Sequence, residues 1–241
     1  MNGLIVIPAR MASTRFPGKP LVDLCGRPML QWVVDAARGC QLGDNVLVAT
    51  PDDEVLDYCR AQGIDCERTS ISHPSGTDRI AEISTRRPAD FYINVQGDEP
   101  LLNPGDIDAC ITPFLEDPSV EMASLWAVCP EDEESNPAVV KVVLDLSGNA
   151  LYFSRHAIPF PRNPRQVPLR KHLGLYGYRK SALDRFATWS PSPLELTESL
   201  EQLRFLENGV KIKMVEGKGS AMAVDTPEQA EQVRQILQNR T

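Results

Sequence analysis

No stretch of the chain approaches the roughly 20 consecutive apolar residues needed to cross a bilayer, so membrane insertion is not expected. There is no basic leader either: the apolar run in MNGLIVIPAR is too short for a signal peptide, which points to the cytoplasm. The dinucleotide fingerprint G-x-G-x-x-G is missing, and so is the phosphate-binding G-x-x-x-x-G-K-S/T, so hydride-transfer enzymes and ordinary ATPases both lose support. Six cysteines, at 25, 40, 59, 66, 110 and 129, form no C-x-x-C pair and read as reduced packing residues, not as a disulfide or zinc framework. Positive charge is in deficit: 25 Lys and Arg stand against 33 Asp and Glu, a formal net charge of −8. That balance argues against a nucleic-acid binder working through general positive charge, while leaving room for a small anion in a local cationic pocket. Low-complexity and long like-charge runs, the marks of disorder, are absent.

The chain does have ample apolar content for a core, 42% of residues, and a regular alternation of patterns. Leu4 to Ile7 reads as a strand buried on both faces. Pro28 opens a helical repeat through Met29, Leu30, Trp32, Val33 and Ala36, with Gly39 near its end. Asn45 to Ala49 and Phe91 to Val95 read as strands and Ile64 to Glu67 as a shorter one, with helices over Glu54 to Gln62 and Thr77 to Arg87. Such alternation predicts a parallel, layered α/β sheet. From Glu121 to Lys180 the strands look paired or irregular and prolines cluster, so a single domain over 1–241 is expected, with a smaller lobe over 121–210. Leu194 to Asn208 predicts one amphipathic helix, with Leu196, Leu200, Leu203 and Leu206 on a stripe and Gly209 as its stop. A strand near Lys211 to Val215 and a helix from Pro227 close the chain.

The stretch IPARMASTRFPGKPL, residues 7–21, follows the first strand and gathers Arg10, Arg15 and Lys19. Ligands of open α/β sheets bind beyond the carboxyl ends of the strands. Loop amides hold phosphate oxygens and arginine forks grip two oxygens each, so three cations suit a triphosphate. The same cations would also serve in surface pairs with some of the acids. NVQGDEP, 94–100, ends another strand in a turn where Gly97 permits a sharp bend, and Asp98 would project over the same edge. AVDTPEQ carries Asp225 just before a helix capped by Thr226, with Pro227 at its first position and Gln229 completing a capping box. Asp98 and Asp225 together would suit magnesium, which takes one or two carboxylates plus phosphate oxygens and water. Singly, Asp98 is an ordinary turn acid and Asp225 an acid favoured by the helix dipole. In KHLGLYGY, His172, Gly174, Tyr176 and Tyr178 share one strand face, which either meets a polyhydroxylated ligand or is simply solvated; Leu173 and Leu175 share the other.

In order along the chain, IPAR-x-x-STR-x-PGKPL, SGTDR (Ser75 to Arg79), NVQGDEP, ALYFSR (Ala150 to Arg155), KHLGLYGYR (Lys171 to Arg179), SPLE-x-x-E-x-LEQLR (Ser192 to Arg204) and VDTPE closely resemble the 3-deoxy-manno-octulosonate (Kdo) cytidylyltransferases. The likeness runs from Leu4 to the last helix. It implies a Rossmann-like nucleotidyltransferase fold: a mixed, mainly parallel sheet flanked by helices, with the smaller lobe serving sugar binding and dimerisation. It implies that CTP and Kdo give CMP-Kdo and pyrophosphate for lipopolysaccharide biosynthesis in the cytoplasm, with Mg2+ as cofactor and a homodimer as the working form.

The resemblance also implies roles. Arg10, Arg15 and Lys19 clamp the triphosphate, with Ala9 and Ser13 near the nucleotide. Ser75, Gly76 and Arg79 lie beside cytosine and ribose, which is compatible with helix capping by Ser75 or Thr77. Gln96 adjoins both substrates, and Asp98 and Asp225 hold the metal, so that Arg15, Lys19, Asp98 and Asp225 are the catalytic set. His172 and Tyr176 contact the sugar, Arg155 pairs with its carboxylate, and Glu201 and Gln202 meet its hydroxyls. No histidine is placed as a general base: His156 reads as structural and His73 as a loop residue. Neighbouring possibilities are a cytidylyltransferase for 8-amino-Kdo or sialic acid, or a nucleotide-binding regulator without chemistry, against which the intact Asp98 and Asp225 weigh.

Overall fold

The computed structural model describes residues 1–43, 45–220 and 222–239. The first half runs β1 (Gly3–Pro8), β2 (Asp23–Leu24), β3 (Arg27–Pro28), α1 (Met29–Arg38), β4 (Asn45–Thr50), α2 (Asp53–Ala61), β5 (Cys66–Arg68), α3 (Gly76–Arg86), β6 (Phe91–Asn94) and α4 (Pro104–Glu116). The second runs β7 (Met122–Val128), β8 (Lys141–Leu144), β9 (Ala150–Ser154), β10 (Arg170–Tyr178), α5 (Lys180–Phe186), α6 (Pro193–Glu198), α7 (Gln202–Glu207), β11 (Ile212–Glu216) and α8 (Pro227–Gln238).

The main sheet has the strand order β11-β7-β10-β6-β1-β4-β5. Along this path every pairing is parallel except the two made by β10, so the sheet is mixed and mainly parallel. Strand β1 explains the layering. Ile5 and Ile7 pack on one face with Leu30 and Val33 of α1 and Ile107 and Ile111 of α4. Leu4 and Val6 pack on the other with Ile80 and Ile83 of α3 and Leu183 and Phe186 of α5. A strand apolar on both faces needs helices on both, and each such buried side chain contributes about 1.5–3 kcal/mol relative to exposure. Residues 121–210 share this sheet: β7 and β10 lie within it, and only the β8–β9 hairpin steps off the path.

Two elements depart from the sequence reading. Helix α4 was not among the expected elements; Asn103 Oδ1 caps it by accepting from Gly105 N at 2.9 Å, and Pro104 takes its first position. The single helix expected over Leu194 to Asn208 is two, α6 and α7, broken at Ser199 with φ 52°. The leucine stripe is not continuous: Leu194 and Leu196 are exposed, whereas Leu200 and Leu203 are buried. Tertiary bonds hold the break. The Glu198 carboxylate accepts from Ser154 Oγ at 2.7 Å and Arg155 N at 3.0 Å, while the Arg155 guanidinium donates to the carbonyls of Pro137, Glu198 and Ser199. Gly209, with φ 77°, does end α7 in the left-handed conformation that glycine tolerates.

Candidate active site

The loop after β1 is anchored before it is charged. Met11 N donates to the Asp52 carboxylate at 2.7 Å, Phe16 N to Ser13 Oγ at 3.2 Å, and Gly18 N to Met11 O at 2.9 Å. Gly18 has φ 76°, which turns the chain so that Lys19 points back toward the sheet. Lys19 is the least exposed of the three cations, with only 17% of its side chain accessible. Its ammonium donates to Asp98 Oδ2 at 2.6 Å, Asp225 Oδ1 at 3.1 Å and the Val224 carbonyl at 3.2 Å, so all three of its protons are engaged. Arg15 Nη2 also lies 3.1 Å from Asp225 Oδ1, but its side chain is 65% exposed and the pair is weak in water.

Three local features bring the acids together. Gly97 is required for space and not for a left-handed bend: its φ is not positive, and a Cβ there would lie 2.6 Å from the Pro8 carbonyl. The NVQGDEP turn can therefore lie directly on the end of β1, bringing Asp98 over Lys19. Val224 N donates to the Asp98 carbonyl at 2.8 Å, which ties the two acid-bearing segments backbone to backbone. The capping box then fixes Asp225, whose N–H donates to Gln229 Oε1 at 2.7 Å.

These groups face one cavity of about 790 Å³, within the size range of small-molecule sites. Its lining includes Ala9, Arg10, Ser13, Arg15, Lys19 and Gln96, then Ser75, Gly76 and Arg79, together with Asp98 and Asp225. Arg79 is 3% exposed; its guanidinium donates to Thr69 Oγ1 at 2.8 Å and Ser70 O at 2.9 Å, so it builds the wall while contributing charge from below. Burial, and then the nearby Arg10, lower its pKa. Ser75 is the cap of α3, accepting from Asp78 N at 3.2 Å.

His172, Tyr176, Glu201 and Gln202 do not line this cavity but form a cluster of their own. The His172 and Tyr176 rings lie 5.2 Å apart, and Tyr176 Oη donates to Gln202 Oε1 at 3.4 Å. Gly174 links cluster and cavity, since a Cβ there would approach Gln96 Cγ and Glu99 Oε1 at 3.9 Å. The alternation in KHLGLYGY runs through a register irregularity between Leu173 and Tyr176, and its polar face is half-buried, not simply solvated: His172 packs edge-on against Phe153, and Tyr178 stacks on Phe205. Burial pushes the His172 pKa down to about 3 and raises those of Tyr176 and Glu201. The Gln202 Nε2 is buried without a partner among the described residues, leaving its two N–H donors for a ligand. Arg155 stands apart. Three of its five guanidinium N–H groups donate to backbone carbonyls and support the α6–α7 break.

Sequence reasoning passed over several residues here. His73, read as a loop residue, lines the cavity with its Nε2 2.5 Å from Glu82 Oε2. Its position two residues before SGTDR was the available signal. Asp52 anchors the basic loop from a helix cap, and nothing in its surroundings in sequence marks it. Glu99, next to Asp98, is pushed up to about 7 by burial, then by Asp98 and Asp106. Asp106 accepts from Lys218 N at 2.8 Å and Gly219 N at 2.7 Å, holding the segment that leads to Asp225. No cluster of three or more metal-ligating side chains occurs among the described residues.

The cytidylyltransferase family model matches residues 4–212. The 3-deoxy-manno-octulosonate cytidylyltransferase of Acidobacterium capsulatum is 48% identical over 241 residues, covering 100% of this chain and 98% of the relative. That of Geobacter sulfurreducens is 45% identical over 249 residues, covering 98% of this chain and 100% of the relative. The solved structure of CMP:2-keto-3-deoxy-manno-octonic acid synthetase complexed with CTP superposes with a TM-score of 0.97 at 39% identity, over 100% of both chains.

Proposed function

Because the chain belongs to the cytidylyltransferase family, among its 3-deoxy-manno-octulosonate members, we propose that it transfers CMP from CTP to the anomeric 2-hydroxyl of Kdo and releases pyrophosphate. The observation that carries the reading is the meeting of Lys19, Asp98 and Asp225 on the wall of the cavity that the SGTDR segment closes. In the reaction the hydroxyl oxygen forms a bond to the α-phosphorus of CTP. The bond from that phosphorus to the α–β bridging oxygen breaks, its electron pair leaving with pyrophosphate, and the hydroxyl proton passes to solvent.

Asp98 and Asp225 fit a magnesium ion: two carboxylates on separate segments already converge on one cation, the Lys19 ammonium, and magnesium favours one or two carboxylates. When bound, the metal supplies charge neutralisation at the phosphates and acidifies a coordinated hydroxyl. The chain's own part is positioning and fixed charge. Arg10 and Arg15 are exposed residues of the cavity lining, suited to meet β- and γ-phosphate oxygens, while Ser75 and Gly76 offer the first turn of α3 to the nucleoside. Lys19 keeps the two carboxylates together and reaches phosphate once they hold another cation. Gln96 lies between the cavity and the His172–Tyr176 cluster, where the sugar is placed.

The working form is a homodimer. Leu151, Phe160 and Val167, exposed by 61%, 83% and 47%, lie along the hairpin and the loop that follows it, where a second copy would cover them. The protein acts in the cytoplasm, where thiols such as its six cysteines stay reduced and CTP is available, and CMP-Kdo feeds lipopolysaccharide biosynthesis. A pyrophosphate-release matrix of CTP and UTP against Kdo, 8-amino-Kdo and sialic acid, with magnesium, tests the assignment. CTP with Kdo is expected to be fastest. Faster release with the amine would overturn the sugar, and nucleotide binding without release from any pair would favour a regulator.

A further inference from the structure

The Glu201 carboxylate, at the head of α7, accepts a hydrogen bond from the Thr77 hydroxyl, while the Ser75 hydroxyl donates to Asp78 Oδ2 at 2.7 Å. Ser75 and Thr77 begin α3, the segment beside the nucleotide cavity, whereas Glu201 stands 124 residues beyond Thr77 on the sugar side. Thr77 is not needed as a cap, because Ser75 does that work. A hydroxyl has one proton, and that of Thr77 is committed to Glu201. Its 3.4 Å contact with Tyr178 Oη therefore has Tyr178 as donor. Tyr178 also meets Asn94; with the phenol proton spent on Thr77, the Asn94 amide must donate. Asn94 Oδ1 is then left buried without a partner, as observed. Turning the amide round would satisfy Oδ1 only by taking the proton that Tyr178 gives to Thr77. The supporting side chains are enclosed, Thr77 and Tyr178 at 1% exposure and Asn94 at 2%. Asn94, Tyr178 and Thr77 thus form a one-way chain of donors ending on Glu201, whose remaining lone pairs stay available.

We propose that Thr77 is a positioning residue for the sugar half of the site: it holds the Glu201 carboxylate against the first turn of α3, so that the nucleotide segment and the sugar-facing helix are set as one unit. This rests on the reading of Glu201 as a sugar contact. The test is steady-state kinetics of the full chain with CTP, Kdo and magnesium, on Thr77→Val, Thr77→Ser, Tyr178→Phe and Glu201→Gln, with thermal unfolding alongside. Loss of a hydrogen bond to a charged group is expected to raise the Kdo KM of Thr77→Val about tenfold, with the CTP KM within about twofold. Thr77→Ser, which keeps the hydroxyl, is expected to return within about threefold of the parent, and Tyr178→Phe to move the Kdo KM in the same direction by less. If Thr77→Val leaves the Kdo KM unchanged while Glu201→Gln raises it, the proposal fails and the sugar assignment stands. If both leave it unchanged, the sugar assignment of Glu201 fails too. Equal losses in both KM values with a lowered Tm, not rescued by serine, would make Thr77 merely structural and overturn the proposal. Should Thr77→Val not fold, Tyr178→Phe decides in the same terms.

Discussion

Lys19 Nζ and Asp98 Oδ2 lie 2.6 Å apart although 79 residues separate them, and the same ammonium reaches Asp225. The basic loop is thus an internal counterion for the two acids, besides its proposed part as a clamp for an incoming anion. Lys19→Met would leave the two neighbouring carboxylates without their shared cation, with the exposed Arg15 still against Asp225. In chelator the variant is expected to be less stable by about 1–2 kcal/mol, and magnesium is expected to restore its Tm toward that of the parent, because a divalent cation replaces the missing charge. Thermal unfolding with and without magnesium checks this; a Tm indifferent to magnesium would contradict it.

Gly97→Ala is expected to damage the site through the backbone. The added methyl would meet the Pro8 carbonyl at 2.6 Å, so the turn must lift from β1 and take Asp98 with it. Overpacking of this kind costs about 1–3 kcal/mol. The measurement is Tm together with the CTP KM: both should worsen, and a variant indistinguishable from the parent would show that the close approach is not required.

His172, hemmed in by Phe153 and Tyr176, is held neutral in the folded protein, with its pKa pushed down to about 3 by burial. In the unfolded chain it binds a proton near 6.5, so between about 3 and 6.5 the unfolded state carries more protons and stability falls as pH falls. From about pH 6.5 to about pH 5 this amounts to roughly 2 kcal/mol. His172→Gln should lose less stability than the parent over that interval in chemical denaturation; equal acid sensitivity would remove His172 as a cause.

Phe160 is 83% exposed beyond the β9 strand, and the proposed homodimer would bury it. Phe160→Asp is expected to shift sedimentation from dimer to monomer at micromolar concentration, since a charge in an apolar contact opposes its burial. A parent that sediments as a monomer, or a variant that remains dimeric, would contradict that placement.

Much of this molecule is legible in its residues because local physics and global need agree. The apolar run at Leu4 to Ile7 has only one use in an α/β protein, and the capping boxes and Gly209 state helix ends directly. The α6–α7 break is not legible, because the leucine period continues through it; Ser154 and Arg155, bonded to Glu198 and Ser199 across 43 or 44 residues, hold Ser199's left-handed turn. The charged residues of the site announce themselves as short clustered motifs. Thr77, Asp52 and His73 do not, since their meaning depends on partners that the sequence places elsewhere: Glu201, Met11 and Glu82. Arg155 has a structural part that its motif does not announce: three of its N–H groups go to backbone carbonyls that lie far away in sequence.

The most direct test of the central claim is the turnover of Asp98→Asn with CTP, Kdo and magnesium, measured as pyrophosphate release on protein whose folding is verified by circular dichroism. The proposed metal-holding role of Asp98 predicts a fall of about a hundredfold or more, with the fold retained. Turnover close to that of the parent would contradict it.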